Sequence, residues 1–422
     1  MIAARGAAAM TSSDPSADCP AALAGALMAA FADRTGLTAP EPDAEPDAPG
    51  GSFGRPAPPL RRYLWTDAFA VCNLLALERR TGDPSHRRGA LRLVDQVHET
   101  LARHRPDDER TGWISGLSEQ EGRRRPTAGG LRIGKELPER APGEPYDPDR
   151  EWDRDGQYYH YLTKWMHALA QVASATGETR YHRWAAELAA VAQRRFTVDG
   201  RMAWKMSLDL TRPLVPSMGQ HDPLEGCVTA LVLTATAPAV RGSDGEPEPD
   251  LAPTTAALAV LCERGRWATE DPLGIGGLLT DAWRLAQILP AEAGPAPSEA
   301  ELTEALLAQV LADSARSLHA FTSRPGLDLP ADRRLGFREL GLALGLAAAG
   351  RLAAWSREAP RGRRWRERIE PLEPWVALGA RITEFWLQPA NRRAPTWTGH
   401  RNINEVMLAT ALVPEGFLDL PR

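Results

Sequence analysis

Cysteine is scarce in this chain, with four in 422 residues at positions 19, 72, 227 and 262. They form no CxxC pair and no Cys–His spacing of the kind zinc requires, and read as reduced, mostly buried thiols of a cytoplasmic protein. No run approaches the roughly 18 to 20 apolar residues of a membrane span, so no membrane association is expected. The apolar stretch AALAGALMAAFAD at 21–33 follows Asp14 and Asp18, where a signal peptide would carry positive charge, and reads as a helix of the mature protein. A formal net charge of -5 with both signs interspersed leaves no basic face for nucleic acid, and RGRRWRER at 361–368 reads as a solvated turn. Strand signals are nearly absent, apart from those of a short ribbon in RMAWKMSLDL at 201–210. EWDRDGQYYHYL at 151–162 matches the first half of a calcium loop, but its twelfth position is Leu162 where a bidentate carboxylate is needed. No metal or cofactor is expected.

What the chain does have is helical periodicity and an internal repeat. RRTGDPSHRRGALRLVDQV from 79 and SATGETRYHRWAAELAAVA from 174 share Thr-Gly-acid, followed at helical spacing by Ala90 with Ala185 and Leu93 with Leu188. Each copy is an apolar helix, a Thr-Gly turn and an amphipathic helix. The same grammar places apolar helix starts near Tyr63, Asp155, Asp222, Gly277, Leu335 and His400. Amphipathic segments fall at 20–36, 85–104, 178–196, 251–263, 299–322 and 371–387. Twelve alternating helices predict an all-α fold, a closed (α/α)6 toroid of six helical hairpins with apolar helices inside, because an open solenoid would need polar caps at both ends. One domain is expected over 20–416, with an N-terminal tail at 1–19 and a flexible Pro, Gly and acid linker at 41–59.

The six-pair alternation and the phrases YLWTDAFAVCNLL, YYHYLTKWMHAL and SMGQHDPLEG resemble the six-hairpin glycosidase superfamily over roughly residues 20–416. That resemblance implies a funnel where the inner helices begin, roofed by the long loops that lead into them, and chemistry on carbohydrate. Segments 105–154 and 197–218 are long enough to form such a roof. Among related toroids, the terpene-cyclising and prenyl-transferring kinds need DxDD or DDxxD runs, and the lanthionine-forming kind a Cys-Cys-His zinc set; the chain has neither.

Each expected inner helix begins with polar or aromatic residues: Tyr63, Trp65 and Asp67; Asp155, Gln157, Tyr158, His160 and Lys164; Gln220, His221, Asp222 and Glu225; Thr280 and Asp281; Arg338 and Glu339; His400, Arg401, Asn402, Asn404 and Glu405. If the ring closes, these groups converge on one cavity. Shared burial then drives carboxyl groups apart into acid and base roles. Asp222-Pro223-Leu224-Glu225 equally reads as a plain helix start, with Asp222 as cap and Glu225 completing a capping box. Asp67, Glu225 and Glu405 form the expected catalytic pool together with His221, while His160 and His400 bind hydroxyls or tune the acids. Aromatic residues stack on sugar faces, and Tyr63, Trp65, Trp113, Tyr158 and Tyr159 are the candidate wall. Lys164, Gln220, Asp222, Asp281, Glu339 and Asn402 complete the expected binding set. His86, His98, His104, His182 and His319 fall on amphipathic segments and read as surface residues. The expected activity is hydrolysis of a glycosidic bond in a small sugar or oligosaccharide by paired carboxylates. The alternatives are a sugar epimerase of the N-acylglucosamine 2-epimerase type, working through histidines, or a glycan-binding toroid without catalysis.

Overall fold

The computed structural model describes residues 18–37, 60–217, 219–237, 248–263, 265–289 and 297–421. The expected linker at 41–59 and residues 1–17 of the expected tail lie outside that range. Among the described residues, twelve helices exceed ten residues. They are α1 (Asp18–Thr35), α2 (Leu64–Thr81), α3 (Pro84–Leu101), α4 (Tyr159–Thr176), α5 (Thr179–Phe196) and α6 (Asp222–Ala235), then α7 (Ala252–Cys262), α8 (Pro272–Ile288), α9 (Pro297–Thr322), α10 (Gly336–Glu358), α11 (Val376–Leu387) and α12 (Arg401–Leu412). The fold is all-α. Its described strands are two-residue pieces: β1 (Gln157–Tyr158) pairs antiparallel with β4 (Lys205–Met206), and β2 (Thr197–Val198) with β3 (Arg201–Met202).

The repeated Thr-Gly turns have a local cause. Gly82 and Gly177 take the left-handed conformation, with φ of 71° and 73°, and their amides close the last turns of α2 and α4 onto Glu78 and Ala173 carbonyls. In each copy the threonine hydroxyl donates back to the carbonyl four residues earlier and accepts the amide two residues later. A sharp reversal follows, and the amphipathic partner packs back on the apolar helix.

Helices α2, α4, α6, α8, α10 and α12 contact one another in that order, and α12 returns to α2. Two of them are buried all round through most of their length: every residue from Leu64 to Leu77 of α2 and from Asp222 to Leu233 of α6 is buried. Each of α1, α3, α5, α7, α9 and α11 packs on one of these six. A single apolar cluster runs from Ala21 to Leu418. Cys72, Cys227 and Cys262 are free and buried within it. Among the described residues, no helix is long and apolar enough to cross a membrane.

Three expectations need correction. α8 begins at Pro272, five residues before Gly277, because Asp271 caps it by accepting the Gly274 amide at 3.0 Å. His98 and His182 are buried, not on the surface. Trp165 Nε1 donates to His98 Nε2 at 3.1 Å, and His182 bonds Glu248 and the Leu233 carbonyl, so each imidazole finds partners between helices that amphipathic periodicity alone cannot reveal.

Candidate active site

The first turns of α2, α4, α6, α8, α10 and α12, together with the loops before them, enclose a cavity of about 1580 Å³. Segment 105–154 contributes Arg105, Arg132, Lys135 and Trp152 to its wall, and segment 197–218 contributes Trp204 and Ser217. Of the residues expected at the site, Tyr63, Trp65, Asp67, His160, Lys164, Gln220, His221, Asp222, Glu225, Asp281, His400 and Asn402 line this one space.

Glu225 and Asp222 settle the meaning of the DPLE helix start. His221 occupies the N-cap position of α6 without a capping side-chain bond, and Asp222 is already helical. Glu225 does not return to the Asp222 amide as the expected capping box requires. Its carboxylate accepts from Lys164 Nζ and Thr163 Oγ1, both on α4. Burial opposes its charge, but Lys164 and these two hydrogen bonds outweigh burial and hold the carboxyl below its ordinary range. Asp222, one turn away, is pushed in the other direction. Burial and the neighbouring Glu225 charge raise it well above the ordinary value, and Lys164 only partly offsets them. Its Oδ1 lies 3.6 Å from His160 Nδ1, while Oδ2 has no hydrogen-bond partner.

Two more acids face the same space. Burial raises Asp281 to about 6 against the attraction of Arg284, whose Nη1 lies 3.2 Å from Asp281 Oδ1. Asp67 is likewise raised to about 6 by burial, opposed by Arg62 at 3.4 Å and by the Tyr63 amide, which donates to it at 2.9 Å. His160 is driven down to about 4 by burial and is therefore neutral near pH 7. His221 is also lowered by burial, and its Nε2 bonds the Trp267 carbonyl at 2.7 Å. Gln220 donates to the Arg266 and Ala268 carbonyls at 3.0 and 3.1 Å, which ties the start of α6 to the loop before α8. The unpartnered polar atoms include Asp222 Oδ2, His160 Nδ1 and Arg284 Nε, all on residues that line the cavity. Buried groups of this kind ordinarily have partners, and these three lie on residues that meet around one cavity.

Three expected site residues lie elsewhere. Glu405 is held by Arg34 of α1 and by Arg401 at 3.0 Å, so it ties α12 to α1. Glu339 accepts from Arg334 at 2.8 and 2.6 Å and from Trp386 Nε1 at 2.8 Å, a closed buried set. Tyr158 sits in β1 behind the wall, its ring 5.4 Å from that of Trp204. Of the wider aromatic candidates, Trp113 stacks under Arg103 at 4.2 Å and Tyr159 packs on Phe196, both away from the cavity. Asn402 remains at the wall but accepts from Arg34 Nε at 2.9 Å.

Sequence reading missed Arg284, Thr163, Tyr161, Trp204, Lys135 and Trp152. Arg284 carried a signal, as an arginine three residues after an aspartate inside an apolar helix. Trp204 and Trp152 carried none, since their placement depends on how two long loops fold over the helix starts. Compared with known proteins, the chain matches no family model and no curated sequence.

Proposed function

We propose that this protein is a six-hairpin (α/α)6 toroid that hydrolyses a glycosidic bond in an oligosaccharide, with Glu225 and Asp281 as the reacting carboxyl groups. Cyclic contact among the six buried helices, each backed by an outer helix, supports the toroid. The observation that carries the activity is the divergence of protonation inside one cavity: Glu225 is held charged by Lys164 and Thr163, while Asp281 is held near 6 by burial. Such a split among neighbouring carboxyls is what acid–base cleavage of an acetal requires. In this reading Asp281 gives its proton to the leaving oxygen as the bond from the anomeric carbon breaks. Glu225 removes a proton from the water that bonds to that carbon, or attacks it first. Asp222 is held too strongly protonated to serve as an efficient acid near pH 7, and donates a hydrogen bond to substrate instead.

The cavity exceeds the roughly 300–1,000 Å³ usual for a single small ligand, which suits several sugar rings. Tyr63, Tyr161 and Trp204 offer faces for stacking, with the two tyrosine hydroxyls bonded to each other at 2.7 Å. Proton transfer by paired histidines has less support, because His221 commits Nε2 to a backbone carbonyl.

The test is sugar release from a panel of neutral and anionic oligosaccharides by the parent, E225Q and D281N. Either substitution lowers turnover roughly 100-fold or more, with melting shifted by only a few degrees. The parent loses activity as pH rises through about 6, where Asp281 gives up its proton, and D281N lacks that limb. Parental turnover in both variants, or no release from any sugar, overturns the assignment.

A further inference from the structure

Trp152 is 53% exposed at the cavity mouth, on the short helix Pro148–Asp153. Its indole lies 6.2 Å from that of Trp204, and Trp204 stacks at 6.5 Å on His160, the residue beside Asp222. An aromatic surface therefore runs from solvent to the buried carboxyl groups. Lys135 stands at its outer end, with Nζ 5.2 Å from the Trp152 ring and 5.7 Å from Tyr63.

Lys135 differs from the cations deeper in the cavity. Lys164 is matched by Glu225, Arg62 by Asp67, Arg284 by Asp281 and Arg338 by Asp271. Among the described residues, the Lys135 ammonium has no ion pair or hydrogen bond. Asp153 and Asp155 act on it from beyond ion-pair distance, and Asp155 is already bound by Arg132 at 2.8 Å. A half-buried ammonium has lost part of its hydration, and two aromatic faces replace only some of it. An anion would replace the rest.

Building on the hydrolase reading, we propose that Trp152 and Lys135 form an outer subsite that selects a sugar ring bearing an anionic substituent, a carboxylate or a sulfate ester. The ring stacks on the exposed indole while its charge meets the ammonium beside it. A neutral ring could use the stacking face but would leave the lysine unmatched.

The experiment is binding to an immobilised glycan array carrying uronate-containing, sulfated and uncharged oligosaccharides of matched length. It uses E225Q, which slows cleavage roughly 100-fold or more during binding, and the same protein with K135Q or W152A added. Retention of the anionic glycans about tenfold above the neutral ones is expected, falling to within about twofold in K135Q, with neutral binding unchanged as evidence of an intact cavity. W152A weakens both classes. The uronate and sulfate arms identify which anion is taken. Equal retention of charged and neutral glycans, a preference that survives K135Q, or no retention of any anionic glycan overturns the proposal. Anionic preference without sugar release by the parent would sink the hydrolase and keep the subsite; sugar release without charge preference would do the reverse.

Discussion

Asp222 and Glu225 sit three residues apart on α6, yet their environments drive their protons in opposite directions. The difference comes from α4, since Lys164 and Thr163 reach Glu225 and leave Asp222 Oδ2 unpartnered. A carboxyl group raised in the folded state binds its proton more tightly there than in the unfolded chain. Stability is therefore lost as pH climbs from the unfolded value near 4 towards the folded one. D222N removes that loss. The variant should melt close to the parent near pH 3.5 and above it at higher pH, with the gap widening as pH climbs towards the folded value. Thermal melts across that range give the answer, and a constant gap would mean that Asp222 is already ionised in the fold. Nothing in the letters QHDPLEG separates this outcome from a capping box, because the deciding contacts come from residues about sixty positions earlier.

At the scale of elements, α8 and α10 approach until their backbones touch. A methyl on Gly276 would meet the Gly341 carbonyl oxygen at 2.1 Å, and one on Gly345 would meet Gly276 Cα at 2.5 Å. Neither obstacle is a side chain that can turn aside. Gly277, the next residue, faces open space, with nothing within 4 Å of such a methyl. Adjacent glycines thus make opposite forecasts. G276A should destabilise by on the order of 3 kcal/mol through overpacking. G277A should be neutral or stabilising by up to about 1 kcal/mol, because alanine suits a helix better. Denaturant unfolding of the pair measures both, and equal effects would refute the close crossing. The crossing also carries function in the proposed reading, because Asp281 lies little more than one turn beyond Gly276 on the same helix.

Across the whole molecule, α1 joins the two ends of the chain. It packs against both α12 and α2, and Arg34 near its end bonds Glu405 and Asn402 of α12. Phe31 and Met28 enter the core from the same helix. A chain beginning at Leu37 would expose that apolar surface and leave buried Glu405 with Arg401 alone. It should accumulate insoluble or melt without cooperativity, because both exposed core and a weakly matched buried charge are costly. A soluble, cooperatively melting protein of residues 37–422 would show that α1 is dispensable to the helical assembly.

Twelve helices, their alternation and most of their bounds were legible in the sequence, because apolar periodicity and Thr-Gly turns act within one or two helical turns. The chain also announced its polar helix starts, and twelve of the fifteen expected site residues line one cavity. Local pattern could not tell which of those polar groups turn inward. Glu405 and Glu339 look like site acids from their positions, but Arg34 and Arg334 bind their carboxylates and neither acid lines the cavity. Protonation is equally non-local, since it depends on burial and on charges brought from other helices. Trp152 and Lys135 show the limit most clearly. Their meeting at the cavity mouth follows from the path of one long loop, which no helical period specifies.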